Sequence, residues 1–300
     1  MKTLITAAML FFALTGSALG AQDRFDIAIT VDDLPAHAAL PPGMTRAGIA
    51  EAHVRALRKV HAPRVWGFVN ARKLETEPDS AAALSIWRKA GFPLGNHAYS
   101  HMNLGRATTP ETWEADVIAG EAAVAALMGT QDWHYFRYPN LSAGEGEAKT
   151  RALSFLRGRG YRIADVSVAF GDWNYSDAYA RCLAKGDTAT IEAMKVRYFK
   201  EVDAGIVWMK AASQRVYGRM IPQVLLTHAG GWSAVTLPEV LKRLKAAGGR
   251  FVTLEAAQSD PAYADPGGGN LMERAAKARG ISLSDIPSAA SSNEVREYCK

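Results

Sequence analysis

At 300 residues the chain fits one large domain or two small ones. Its 48% apolar content is ample for a core and excludes general disorder. The formal net charge of +5 sits on scattered Lys and Arg, with neither a basic stripe nor regularly spaced stacking aromatics, which argues against a nucleic-acid partner.

In chain order, residues 1–20 read as a secretory leader. Lys2 gives the positive start, Leu4–Leu14 a short apolar stretch, and Ala18-Leu19-Gly20 small residues at a cleavage site. The stretch is short for a transmembrane helix, an uncleaved anchor being the alternative, and no later segment could span a bilayer once the leader is removed. Asp26–Val31 is a β-rich run, and a helix follows over 45–60 with Ile49, Ala52, Ala56, Leu57 and Val60 on one face. Arg64–Val69 is the next strand. Asp79 or Ser80 can cap a helix carrying Ala83, Leu84 and Trp87, which stops at Gly91. Pro93–Asn96 is a short strand. Thr109-Pro110-Glu111 opens a helix with Pro in its first turn, and Trp113, Val117, Val124 and Leu127 supply its apolar stripe. His134–Phe136 is short and aromatic, 147–158 is helical, and Tyr161–Phe170 holds one strand, placed at Asp165–Phe170.

A long, mostly helical stretch over 187–218 precedes a strand at Pro222–Thr227. Thr236-Leu237-Pro238-Glu239 has the pattern of a capping box. That helix continues through Val240, Leu241 and Leu244, Gly248-Gly249 stops it, and Phe251–Leu254 is the last strand. Gly267-Gly268-Gly269 marks a flexible joint before a polar, partly helical extension. Regular strand–helix alternation predicts a parallel sheet covered by helices, best drawn as an α/β barrel of seven or eight units. A doubly wound open sheet is the alternative. Cys182 and Cys299 could pair and tie the tail to the body, or remain two thiols; neither belongs to a Cys-x-x-Cys zinc pair.

Five apolar runs end in a residue that can bind a metal or move a proton: Asp32-Asp33, His97 with His101, Arg137, Asp172 and His228. In barrels of alternating strands and helices the carboxyl ends of the strands share one rim, and chemistry sits there. Two adjacent carboxylates repel each other unless a cation or an arginine relieves them, although a turn-forming Asp pair is the simpler reading. A spacing of four puts His97 and His101 on one face if the segment is helical, close enough for one metal ion. The absence of Glu beside His97 disfavours a zincin protease. One Asp and two His form a known ligand set for a catalytic zinc with an open position. Arg137 could hold a carboxylate ionised, or form a surface ion pair. Asp172 could orient a histidine, or cap a helix. His37, just past the Asp pair, reads as a loop histidine able to touch substrate.

Together the five motifs resemble those of the polysaccharide deacetylase family, the NodB-homology domain of carbohydrate esterase family four, over roughly residues 25–255. The resemblance implies a distorted (β/α) barrel of about seven units over 21–260, with a helical insertion at 187–218 and a C-terminal extension at 261–300. Thr30-Val31-Asp32-Asp33 is similar to Thr-Phe-Asp-Asp, making Asp32 the general base and Asp33 a metal ligand completed by His97 and His101. Arg137-Tyr138-Pro139 resembles Arg-x-Pro, whose arginine orients the base, and Asp172-Trp173 the motif in which Asp tunes the acid and Trp lines the acetyl pocket. Leu226-Thr227-His228 resembles Leu-x-His, with Leu226 against the acetyl methyl and His228 as general acid. The chain departs from the pattern at Ala98, where Ser or Thr is usual, at Asn140, where an aromatic is usual but the backbone N–H for an oxyanion hole remains, and at Ala169, where an Asp is common.

The implied reaction is metal-assisted removal of N-acetyl groups from a peptidoglycan- or chitin-like glycan outside the cytoplasm, with Zn2+ favoured and Co2+, Ni2+ or Mn2+ possible. Alternatives are an O-acetyl esterase or small-amide hydrolase on the same metal, or a non-catalytic carbohydrate-binding protein.

Overall fold

The structure, a computed structural model, describes residues 24–288 and 293–300. The leader expected at residues 1–20 lies outside the described residues. The elements run β1 (Phe25–Leu34), α1 (Arg46–Lys59), β2 (Trp66–Val69), α2 (Lys73–Thr76), α3 (Ser80–Lys89), β3 (Leu94–Asn96), α4 (Pro110–Met128), β4 (Tyr135–Phe136) and α5 (Gly146–Gly158). They continue as β5 (Arg162–Ile163), β6 (Val168–Ala169), α6 (Ser176–Ala184), α7 (Thr188–Tyr217), β7 (Gln223–His228), α8 (Gly231–Ala246), β8 (Gly249–Val252), α9 (Leu254–Gln258) and α10 (Leu271–Ala278).

Every strand pairing is parallel, and one path runs β5-β4-β3-β2-β1-β7-β6. β1 is the hub. β7 lies along Ile27–Asp32 on one side; on the other, β8 takes Phe25–Ala28 and β2 takes the far end from Thr30 to Leu34. Ile27, Ile29, Val31 and Leu34 are buried, as expected for a parallel strand covered on both faces.

The distorted barrel is confirmed, and its seam corrects the expectation of one strand at Asp165–Phe170. β5 and β6 are consecutive in the chain yet stand at opposite ends of the path, separated only by residues 164–167. So short a link spans roughly 18 Å at most, and it draws the two free edges toward each other into a curled half-barrel. The seam's polar groups find partners in the C-terminal extension. Asp165 accepts from Gly267 N (3.2 Å), Gly268 N (3.3 Å) and the Arg274 guanidinium (2.9 Å), and Leu271 N donates to Val166 O. The expected flexible joint at Gly267-Gly268-Gly269 is therefore pinned, and Leu271, Met272 and Ile286 beyond it are buried in a cluster with Trp66, Phe68 and Tyr135.

The helix starts follow their caps, with two corrections. Thr45 and Thr109 accept from Gly48 N and Thr112 N. Asp79 and Ser80 do not cap α3: Asp79 sits at φ 58° without a capping bond, and Ser80 Oγ donates to Lys73 O. The helix expected from Thr236 begins at Gly231, because Trp232 stacks on Tyr175 at 4.9 Å and anchors the turn directly after β7; Pro238 is tolerated inside. The 187–218 stretch is one helix, α7, whose Ile191, Met194, Tyr198, Val202, Ile206 and Met209 form a buried stripe. Cys182 and Cys299 form a disulfide that ties the chain end to α6. Among the described residues, no helix is long and apolar enough to cross a membrane.

Candidate metal centre and catalytic pocket

The carboxyl ends of β1, β3, β4, β6 and β7 meet around a cavity of about 290 Å3 lined by Asp32, Asp33, His37, His97, His101, Asn140, Leu141, Ala169, Trp173, Leu226 and His228. All ten expected site residues are thus brought to one rim: eight line the cavity, and Arg137 and Asp172 stand directly behind it, bonded to Asp32 and His228.

β1 breaks register with β2 between Val31 and Leu34, and Asp33 takes φ 63°. Left-handed backbone at a non-glycine residue is strained, and it sends neighbouring carboxylates to different partners. Asp32 is buried and receives Arg137 Nη1 at 3.1 and 3.2 Å. Arg137 is itself buried, donating Nε to Ala164 O (2.6 Å) and Nη2 to Thr30 Oγ1 (2.9 Å), with its guanidinium 4.7 Å from the Phe68 ring centroid. Every direction in which it could turn is committed, so Arg137 is a fixed brace for Asp32 and not a surface ion pair.

Asp33 divides its oxygens. Oδ2 accepts from His37 Nδ1 at 2.6 Å. Oδ1 is buried and has no hydrogen-bond partner, while His97 Nε2 and His101 Nε2 each lie 3.4 Å from it. His97 Nδ1 faces the Arg137 carbonyl at 2.8 Å, and a carbonyl only accepts, so that nitrogen carries the proton and Nε2 presents a lone pair to the Asp33 side. Burial, reinforced by the neighbouring His97, pushes His101 down to about 4 and keeps it neutral. Burial alone would raise the Asp33 carboxyl, but His37 and then His97 outweigh it and hold it well below the usual carboxylate range. One carboxylate oxygen and two imidazole lone pairs, all within 4.8 Å of one another, fit a divalent ion of the zinc type.

The helical reading of His97–His101 is corrected. β3 ends at Asn96, and both Ala98 and His101 take positive φ, so the two rings meet through a tight loop at 4.9 Å and not across a helix face. The bond that Ser or Thr would make at position 98 has substitutes. Asn96 Oδ1 accepts from Ala98 N at 2.8 Å, and Asp116 on α4 accepts from Ser100 N. Gly120 lets α4 come this close, since a Cβ there would stand 2.6 Å from Asn96 Oδ1.

On the opposite wall, Asp172 accepts from His228 Nδ1 (2.9 Å), His228 N (2.7 Å) and Thr227 Oγ1 (2.6 Å). Burial would lower the His228 pKa, but Asp172 raises it to about 9, leaving the ring cationic at neutral pH. Burial would raise Asp172, and the His228 charge outweighs it. Trp173 is 43% exposed at the mouth, with the Arg296 guanidinium 5.2 Å from its ring centroid. Leu226 is buried in the wall, and Asn140 at φ 54° stands opposite.

Sequence reasoning underweighted His37, whose ring lies 5.0 Å from that of His228. The available signal was its position four residues past Asp33, two past Pro35.

Residues 20–162 match the sequence profile described as polysaccharide deacetylase. No curated protein matches the chain by sequence. Among solved structures, the chitin deacetylase of the fungal pathogen Colletotrichum lindemuthianum is similar at 19% identity and TM-score 0.51, over 79% of this chain and 88% of its own. A mutant of a family-four carbohydrate esterase pseudoenzyme of Bacillus anthracis is similar at 14% identity and TM-score 0.52, over 78% of this chain and 67% of its own. The matched segment contains Asp32, Asp33, His97, His101 and Arg137; over it the chain is similar to the polysaccharide deacetylase family, and it shares the fold of these solved structures.

Proposed function

We propose that this chain is a divalent-metal-dependent hydrolase that removes N-acetyl groups from an amino-sugar polymer or oligomer of the peptidoglycan or chitin type. The observation that carries the reading is the partnerless Asp33 Oδ1, facing two imidazole nitrogens in the cavity that also holds Asp32 and His228. Asp33, His97 and His101 would hold the ion, with zinc favoured by the ligand set and cobalt, nickel or manganese as substitutes. When bound, such an ion polarises a carbonyl and makes water more acidic.

The chain's own residues supply the proton transfers. Asp32, fixed by Arg137, takes a proton from the attacking water as its oxygen bonds the acetyl carbon. The Asn140 N–H is offered to the developing oxyanion. His228 gives its proton to the sugar nitrogen as the C–N bond breaks, releasing acetate and a free amine. Trp173 and Leu226 wall the acetyl group. Residues 1–20 and the Cys182–Cys299 bond support an exported enzyme, periplasmic or secreted.

Zinc-loaded protein should release acetate from N-acetylated chitooligosaccharides or peptidoglycan, with chelation abolishing release and added zinc restoring it. Release from O-acetylated glycans alone would indicate an esterase, and glycan binding without acetate release a carbohydrate-binding protein.

The acid's pH limit follows from the Asp172 bond. His228 holds its proton below about 9 and loses it as pH rises through that value, so turnover should fall on the alkaline side there. Asp172→Asn removes the supporting charge and should move that alkaline limb down by about one to two pH units. A limb that stays in place in the rate profile would mean another group donates the proton.

A further inference from the structure

We infer that His37 is a positioning residue for the metal centre, selecting which oxygen of Asp33 is presented to the ion; this rests on the metal reading above. His37 Nδ1 lies 2.6 Å from Asp33 Oδ2, and a carboxylate accepts, so Nδ1 carries the proton. That bond occupies one oxygen and leaves Oδ1, buried and partnerless, facing His97 and His101. Without it the carboxylate could rotate about its terminal torsion, which is broad and two-fold for Asp. Outer hydrogen bonds of this kind orient metal-ligating carboxylates.

The loop holding His37 is anchored on both sides. His37 N donates to Ala229 O, next to His228, and Lys73 Nζ on α2 donates to Ala36 O. Its ring also packs beside the His228 ring, tilted 46° to it with the centroids 5.0 Å apart. One side chain therefore touches both the metal-ligand carboxylate and the acid histidine, at a position that none of the five motifs includes.

The test is zinc affinity measured by competition with a chelating dye, alongside thermal unfolding of the zinc-free protein. His37→Ala should weaken zinc binding about 10- to 100-fold with the unfolding temperature unchanged, since the residue is partly exposed on a loop. His37→Asn places an N–H where Nδ1–H stands and should recover affinity to within about threefold. His37→Gln sets its donor one carbon further out and should not. Unchanged affinity in His37→Ala, with zinc bound by the unaltered protein, overturns the role of His37 alone. Failure of Asn to rescue the loss overturns the donor argument. An unaltered protein that takes up no zinc overturns the metal reading, and this inference with it.

Discussion

Asp32→Asn should lower acetate release by about three orders of magnitude while leaving zinc uptake intact, a loss within the range for removing a positioned base. The substitution keeps the side-chain volume and one oxygen for Arg137, but a carboxamide cannot take up the water's proton. Arg137 keeps its bonds to Ala164 O and Thr30 Oγ1, so the brace should stay in place. Acetate quantification beside metal analysis of the same preparation checks both halves. Retained turnover would remove Asp32 as the base, and lost zinc would make it a ligand.

The second large effect is on the ion itself. His97→Ala and His101→Ala each remove one of the three proposed donors and should weaken zinc binding on the order of a thousandfold or more, with activity lost in step. The two variants differ in a useful way. His97 is buried and bonded to the Arg137 carbonyl, so its loss also orphans a buried acceptor in the residue that braces Asp32. His101 is partly exposed, and its removal should leave the fold stable by circular dichroism. Stoichiometric zinc in purified His101→Ala would show that two ligands suffice and that the triad is misassigned.

The chemistry on the rim was more legible in the sequence than the geometry that assembles it. Asp32, Asp33, His97, Arg137 and His228 were visible because a parallel strand reads as an apolar run, and the first reactive residue after it marks the rim. The spacing of His97 and His101 was right in distance and wrong in mechanism, because local periodicity cannot reveal positive φ at Ala98 and His101. The seam at residues 164–167 escaped because β5 and β6 are two-residue strands, too short for alternation to register. Thr236–Glu239 carried a start signal inside a helix whose real start is set by packing of Trp232 on Tyr175. The glycine run at 267–269 read as a hinge, since its partners, Asp165 and Leu141, lie more than a hundred residues earlier. His37 hid for a related reason: its meaning lies in the Asp33 oxygen it occupies, which no spacing encodes.

The bond between Cys182 and Cys299 divides the centre covalently. β7 with His228 lies within the closed ring of chain, while Asp32, Asp33, His97, His101 and Arg137 lie outside it. A protease nicking an exposed turn anywhere between the two cysteines would leave both fragments attached, so a clipped molecule in an oxidising medium keeps His228 tethered to Asp32, Asp33 and the two histidines beside them.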